Sequence, residues 1–344
     1  MIWLFGQRFA ILAADKSDTR RECQGANKKI MSQSIQDRLN DFRQQRRVQA
    51  GSLIITTFGD AVQPRGGRIW LGSLIRLLEP LELNERLVRT SVFRLVKEEW
   101  LRTESIGRRA DYVLTASGRR RFEEASRHIY ASHAPLWDRR WRLMLVVGDL
   151  EPKVREQVRR ALFWQGFGAL GGDCFVHPGA ELSSVLDALV AEGLSTALGA
   201  LLPLFAADSR SALSASDADL VRRAWNLDSL AADYTAFVAS YQPVFADLQH
   251  DQHDVSAQDA FLLRLLLIHD YRRLLLRDPE LPEVLLPADW PGQQARLLCK
   301  EIYKRLEPLV ARHLDQNLCL ADGSVPLEDT SLPERFPQND PLLV

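Results

Sequence analysis

The chain is poor in cysteine. Its 344 residues include four, Cys23, Cys174, Cys299 and Cys319, which are widely separated and form no Cys-x-x-Cys pair. This spacing argues against the disulfide framework of a small secreted domain and against the paired ligands of a structural zinc site. We therefore expect a protein of the reducing cytoplasm with no bound metal.

Long hydrophobic runs are also missing. The most apolar stretch, around Phe261 to Ile268, contains Arg264 and is far shorter than the roughly 20 residues that cross a bilayer. No membrane-spanning helix and no membrane partner are expected. The opening MIWLFGQRFAILAADK is interrupted by Arg8 and lacks the charged start of a signal peptide. We expect residues 1–40 to be a disordered extension, with Met31 as an alternative translation start.

The whole chain lacks an excess of charge of either sign. Forty-four Lys and Arg residues face 45 Asp and Glu residues, a net charge of −1, which indicates no polyanionic partner. The local distribution differs, because residues 64–122 contain 13 basic and 7 acidic residues, a net of +6. The remainder of the chain therefore carries −7. This asymmetry is typical of a small nucleic-acid-binding module joined to neutral or acidic domains.

Residues 51–131 predict three helices, a hairpin and a fourth helix. SLIITTFGDAV is the first helix and WLGSLIRLLEPL the second, while the third follows Asn84, a favourable N-cap, and reaches Trp100. EWLRTESIGRRADYVLT predicts two strands around an Ile-Gly-Arg-Arg turn, and Thr115 caps the next helix. Three helices followed by a basic hairpin indicate a winged helix-turn-helix DNA-binding domain.

The third helix places polar side chains opposite its apolar ones, and arginines occupy the hairpin tip. Our candidate DNA contacts are Arg86, Arg89, Thr90, Ser91, Arg94, Lys97, Arg108 and Arg109. Arg can donate two hydrogen bonds to a guanine edge, and Thr and Ser can bond bases or phosphates. The alternative is an ordinary solvated helix face with a charged turn.

The sequence pattern after residue 131 predicts two further domains and a tail. Residues 140–208 contain WRLMLVVG, PKVREQVRRALFWQGFG, DCFVHPG and ELSSVLDALVAEGL, in the order strand, helix, strand, helix. This order predicts a central ferredoxin-like domain. Residues 216–318 predict a helical effector and dimerisation domain, and residues 319–344 a loosely held, Pro-rich, acidic tail. The expected fold class is thus α+β multidomain.

Four long segments carry a family resemblance: NERLVRTSVFRLVKEEWL, GRRADYVLTASGRRRFEEASRHIY, WDRRWRLMLVV and FLLRLLLIHDYRRLLLRDPELPEVLLPADWPGQQARLLCKEIY. They resemble the PaaX family of bacterial repressors of phenylacetate degradation, from about Ser52 to Leu314. The resemblance implies a winged helix-turn-helix, a central domain similar to the small CRISPR-associated spacer-acquisition nuclease, a helical C-terminal domain and a homodimer. It also implies that an aryl-coenzyme A thioester, phenylacetyl-CoA in the type member, releases the repressor from double-stranded operator DNA.

One C-terminal helix supplies our candidate effector contacts. They are His269, Tyr271, Arg272, Arg273 and Arg277. Coenzyme A phosphates are bound by Arg or Lys, its adenine stacks on flat side chains, and an aryl group is buried in an apolar pocket. The alternative is structural salt bridging to neighbouring acidic residues such as Asp270 and Asp278.

Enzymatic chemistry has weaker support. We expect that the protein is not an enzyme and that it has no cofactor and no catalytic residue. A metal-dependent nuclease using Asp149, with Glu151 nearby, is the alternative function, although such a site normally needs more converging acidic groups. Cys174 and His177 suggest a thiol nucleophile with its base, but their odd separation on a strand points them to opposite faces. The run 250–254 contains metal-ligand types but is expected to be a solvated loop.

Overall fold

The computed structural model describes residues 33–44, 50–208, 215–250 and 255–337. Residues 1–32, which include Met31, lie outside that description. The N-terminal elements are helix α1 (Gln33–Arg43), α2 (Ala50–Thr57) with a π-helical turn (Phe58–Val62), strand β1 (Arg68–Trp70), α3 (Leu71–Leu78), α4 (Glu85–Lys97), β2 (Leu101–Ile106), β3 (Arg109–Leu114) and α5 (Ala116–Ile129).

Short-range sequence features, such as a helix cap and a turn, account for several elements of this N-terminal part. The Asn84 side chain accepts a hydrogen bond from the Leu87 backbone N–H at 2.8 Å, which confirms the predicted cap of α4. Strands β2 and β3 form the predicted hairpin, and β1 pairs with the other edge of β3. Trp70 therefore lies in a strand opposite Asp111, and the second helix begins one residue later than its hydrophobic spacing predicted.

The central unit is a four-stranded antiparallel sheet with two helices. Its elements are β4 (Arg140–Val146), α6 (Pro152–Trp164), β5 (Gly168–Gly171), β6 (Cys174–His177), α7 (Leu182–Ala191) and β7 (Leu201–Ala207). The strand order is β5-β6-β4-β7, the arrangement of a ferredoxin-like β-α-β-β-α-β unit. The sequence pattern located β4, β6 and both helices but not β5, which is short and glycine-bounded, or β7, which contains Pro203 and lies at an edge that tolerates proline.

The two faces of the central sheet contribute to two different buried hydrophobic clusters. Met144 and Phe175 belong to a buried cluster with residues of α6 and α7. Trp141 and Val176, which point to the opposite face, belong to a cluster with Val221. The sheet is therefore covered on both sides.

The C-terminal part is helical, as predicted. It comprises α8 (Asp217–Ala224), α9 (Leu227–His250), α10 (Ala257–Leu275) and α11 (Pro291–Asn317). Helix α8, which the hydrophobic pattern did not reveal, starts at a capping box between Ser216 and Asp219. Residues 260–269 of α10 are buried on every side, which is typical of a central core helix. Residues 251–254 are outside the described part of the chain.

The N-terminal and C-terminal units, predicted as separate domains, share one hydrophobic core. It includes Leu39 of α1, Ile54 of α2, and Phe261 of α10. Residues 33–40 are therefore not part of a disordered extension, because α1 buries Ile35, Leu39 and Phe42 at helical spacing against this core. The polar composition around these residues concealed that apolar stripe.

The described part of the tail after α11, residues 318–337, is not loosely held. Phe336 is fully buried, and its ring centroid lies 5.4 Å from those of both Tyr130 and Tyr303. Ala321 is also buried, and its N–H donates to the Asp111 carboxylate at 2.7 Å. Composition suggested a loosely held tail because a few anchoring residues contribute little to an average over the 26 residues from 319 to 344.

A buried ionic cluster joins the tail to three helical regions. Asp60, in the π-helical turn, accepts hydrogen bonds from the Tyr130 hydroxyl at 2.8 Å and from Arg335 Nη1 at 3.0 Å. Its second carboxylate oxygen lies 3.0 Å from Nε of Arg264 on α10. Arg335 also donates to the Tyr303 hydroxyl of α11 at 2.8 Å. The N-terminal unit, the C-terminal helices and the tail are thus linked at one buried point.

The packing of the tail predicts a large effect of truncating Phe336. Phe336→Ala should lower the free energy of unfolding by about 3–5 kcal/mol, because it leaves a cavity among aromatic rings. Leu327→Ala removes a tail side chain that is 87% exposed and is the matched control, with a change within about 0.5 kcal/mol. Urea denaturation followed by circular dichroism measures both, and unchanged stability of the Phe336 variant would show that the tail does not pack as described.

Candidate functional site

Helix α4 has an apolar inner face and a polar outer face. Val88, Val92 and Leu95 are buried in the shared core. Four exposed residues form a row along the opposite side at positions i, i+4, i+7 and i+11: Arg86, Thr90, Phe93 and Lys97. This spacing aligns them on one side of a helix with 3.6 residues per turn. The outer row therefore presents two cations, a hydroxyl and an aromatic ring to solvent.

Arg89 and Arg94 flank the row and are paired within the helix. Arg89 lies 2.5 Å from the Glu85 carboxylate, and Arg94 lies 2.7 Å from that of Glu98. Exposed i,i+4 pairs of this kind stabilise a helix by only about 0.3–0.5 kcal/mol. Both guanidinium groups can therefore exchange their carboxylate for a phosphate or a base edge at small cost.

The hydroxyl groups of α4 differ in orientation. Thr90 lies in the exposed row, and its hydroxyl donates to the Arg86 carbonyl at 2.8 Å, which leaves its oxygen able to accept. Ser91 is half-buried at the side of the helix. Of the predicted contacts on α4, Ser91 is thus the one turned most toward the protein body.

The two arginines at the hairpin also differ. Arg108 is exposed in the turn between β2 and β3. Arg109 stacks on the Trp70 ring, with 4.6 Å from its guanidinium carbon to the ring centroid, and donates to the Ala321 carbonyl at 3.4 Å. Arg108 is therefore the better placed of the two to reach a partner beyond the hairpin.

Two of the predicted effector contacts belong to the core. His269 is only 5% exposed, and its Nδ1 lies 3.2 Å from the Thr56 hydroxyl. Burial lowers the pKa of His269 to about 4, so the imidazole is neutral at neutral pH and is a poor partner for phosphate. Tyr271 is buried against the Phe237 ring at 5.7 Å.

The three arginines predicted to bind the effector lie in two different environments. Arg273 and Arg277 line a cavity of about 620 Å³, a volume typical of small-molecule sites. Arg277 is bonded to Asp233 at 2.6 Å, whereas Arg273 forms no ion pair with any described residue. Arg272 instead turns toward α2, where it donates to the Ser52 hydroxyl at 3.3 Å.

The cavity also has walls that sequence reasoning did not identify. Arg38 of α1, paired with Asp270, lines it together with Phe237 and Tyr241 of α9. Arg38 lies in the segment predicted to be disordered, and the two aromatic residues follow the ordinary spacing of core positions. No sequence signal distinguished them from structural residues.

The predicted enzymatic alternatives find little support in the geometry. Asp149 and Glu151 are exposed, and within the described ranges no group of three or more His, Cys, Asp or Glu residues could hold a metal ion. Burial raises the pKa of the Cys174 thiol. The His177 Nδ1 accepts hydrogen bonds from two backbone N–H groups, those of Gly179 at 2.8 Å and Ala180 at 2.6 Å, which is a structural role.

A glycine run in the central unit has the spacing of a dinucleotide-binding loop. Gly166, Gly168 and Gly171 follow the Gly-x-Gly-x-x-Gly pattern, but the run leads out of α6 into β5 rather than from a strand into a helix. A Cβ atom on Gly168 would lie 2.7 Å from that of Ala224. This glycine therefore permits close packing of α8 on the sheet.

No helix in the described parts of the chain is long and apolar enough to cross a membrane. Three protein-family models match the chain in succession. Residues 49–118 match the PaaX-like protein, residues 134–212 the PaaX protein central Cas2-like domain, and residues 225–316 the PaaX-like protein C-terminal domain.

Two known proteins resemble the chain over most of its length. The Transcriptional repressor PaaX of Escherichia coli (strain K12) is 40% identical over 292 residues, which are 84% of this chain and 90% of that protein. The structure of the uncharacterized protein Rv0674 from Mycobacterium tuberculosis is 20% identical and covers 69% of this chain and 90% of its own, with a TM-score of 0.46. The three consecutive family matches and the 40% identity to the repressor show that the chain belongs to the PaaX family.

Proposed function

We propose that the chain is a transcriptional repressor that binds double-stranded operator DNA through a winged helix-turn-helix formed by α2 to β3. The observation that carries this proposal is the outward polar row of α4 beside a hairpin with Arg108 at its tip. In this architecture the recognition helix enters the major groove and neighbouring elements contact the backbone. The 40% identity to a protein named a transcriptional repressor supports the same function.

The distribution of charge supports a polyanionic partner for this surface. The local net charge of +6 falls on residues 64–122, which include α4 and the hairpin. Contacts between such cations and phosphates release condensed counterions and supply affinity that does not depend on sequence. The exchangeable Arg89 and Arg94 then supply hydrogen bonds that distinguish bases.

We further propose that an aryl-coenzyme A thioester such as phenylacetyl-CoA binds in the 620 Å³ cavity. Leu276, which is 59% exposed, offers apolar surface for the aryl group beside the nearly buried rings of Phe237 and Tyr241. Arg273 and Arg277 offer cations for the phosphates. The repressor would then control an operon for catabolism of phenylacetate or a related aromatic acid in the cytoplasm. No covalent step is required of the protein.

The position of the cavity supports coupling to DNA binding. Its wall includes Ser52 of α2, the first helix of the DNA-binding unit, and Arg38 of α1. A ligand there would contact both the C-terminal helices and the base of the DNA-binding unit. Full release, from 99:1 to 1:99, requires about 5.5 kcal/mol of differential affinity between the two states. Several charge-assisted phosphate contacts together with aryl burial can supply it, whereas the free acid has far fewer contacts.

The DNA assignment predicts that Arg94→Ala weakens operator binding by about 1–3 kcal/mol and relaxes preference at one base position, because a bidentate base contact is lost. Fluorescence anisotropy with the promoter fragment of the protein's own gene measures both. Arg160→Ala is the matched control, since Arg160 is an exposed arginine paired i,i+4 with Glu156 on the central unit. Wild-type affinity and preference in the Arg94 variant would refute the contact.

The effector assignment predicts tight binding of phenylacetyl-CoA, and much weaker binding of phenylacetate and of coenzyme A, in calorimetric titrations. Arg273→Ala should weaken the thioester by roughly tenfold or more through loss of a charge-assisted contact. Arg160→Ala, which removes an exposed arginine on the central unit, is the control and should keep the affinity. Equal binding of phenylacetate and phenylacetyl-CoA would refute the proposed effector. Full affinity of the Arg273 variant for the thioester would refute only the proposed binding site.

A homodimer is the expected assembly, because one winged helix reads few base pairs and a two-fold protein matches a pseudo-palindromic operator. Multi-angle light scattering at micromolar concentration should give the mass of a dimer, and titration should give two chains per operator. A monomer bound singly to its operator would contradict this assembly.

A further inference from the structure

Phe93 is an aromatic residue exposed in the middle of a basic surface. Its side chain is 70% exposed and lies on the face of α4 opposite the buried Val88, Val92 and Leu95. In the described part of the structure it takes part in no ring–ring or cation–π contact. The phenyl ring therefore contributes little to the stability of the fold and is free to contact a partner.

The neighbours of Phe93 are the candidate DNA contacts. Arg89 and Thr90 lie one turn before it and Lys97 one turn after it, at the i−4, i−3 and i+4 positions that share a helix surface. An orientation of α4 that brings these side chains to DNA also brings the Phe93 ring close to it. The ring is therefore placed to contact the same partner as this row.

The chemistry of the major groove limits what a phenyl ring can bind there. Base edges display hydrogen-bond donors and acceptors, which would lose water without gaining a partner if they packed on the ring. The apolar exception is the C5-methyl group of thymine. Resting on the proposed DNA-binding function, we propose that Phe93 is a specificity-determining residue that packs on a thymine methyl group in the operator.

Removal of single methyl groups from DNA tests this contact. Duplexes selected by the wild-type protein from a random-sequence pool are resynthesised with one thymine at a time replaced by deoxyuridine, which lacks only the methyl group. Wild-type binding should weaken about fourfold at one thymine of each half-site, the effect of one buried methyl group. Phe93→Ala should bind the thymine and deoxyuridine duplexes equally, and Phe93→Leu should retain most of the difference.

The control is Phe205→Ala, which removes another exposed phenyl ring, 63% exposed on β7. It should keep the wild-type ratio between thymine and deoxyuridine duplexes. The same ratio in Phe93→Ala as in the wild type would overturn the methyl contact, whatever the overall affinity, while operator binding itself would still stand. Failure of the wild-type protein to select any duplex would overturn both the contact and the proposed function.

Discussion

A buried carboxylate, Asp60, holds together parts of the chain that are far apart in sequence. It lies in the π-helical turn after α2 and is shared by Arg264 of α10 and Arg335 of the tail. Removing one partner of a buried ion pair typically costs 3–5 kcal/mol, because the remaining charge cannot be hydrated. Two guanidinium groups share this carboxylate, so each depends on it. The position of α2 is therefore constrained by residues of the C-terminal helices and the tail, and so are the positions of the helices that pack on α2.

This constraint bears directly on the proposed DNA binding. The inner face of α4 packs in the core shared with the C-terminal helices. This packing fixes the orientation of the helix and therefore the direction in which its outer row faces. The cavity beside Arg273 has Ser52 of α2 in its wall, and Arg272 bonds the same residue from another side. In the proposed mechanism, a ligand that prefers one arrangement of α10 against α2 shifts the population of conformations that bind DNA. The shared core supplies a continuous set of contacts for the proposed coupling.

The parts of the fold that sequence predicted are those that depend on near neighbours. The Asn84 cap, the hairpin around Gly107 and the three long C-terminal helices follow from residues within a few positions of one another. Helix α1, strand β7 and the buried Phe336 were missed because each is stabilised by distant partners. Polar composition around α1 and the tail hid the few residues that anchor them.

The candidate site was predictable to a similar extent. The amphipathic pattern of α4 identified an exposed basic face but passed over Phe93, since an aromatic residue in a helix is usually assigned to the core. On α10 the periodicity is uninformative because residues 260–269 are buried on all sides, so sequence could not separate the core residues His269 and Tyr271 from the exposed Arg273 at the cavity. That distinction depends on which elements surround the helix.

Hydrogen–deuterium exchange of the intact protein, alone and with its operator duplex, tests the proposed DNA-binding surface most directly. If α4 and the hairpin bind DNA, amides in residues 85–97 and 101–114 should exchange more slowly in the complex. Residues of the central sheet, 140–207, should change far less. Unchanged exchange in α4 and the hairpin, with protection confined to the central sheet, would contradict the assignment and favour the nuclease alternative.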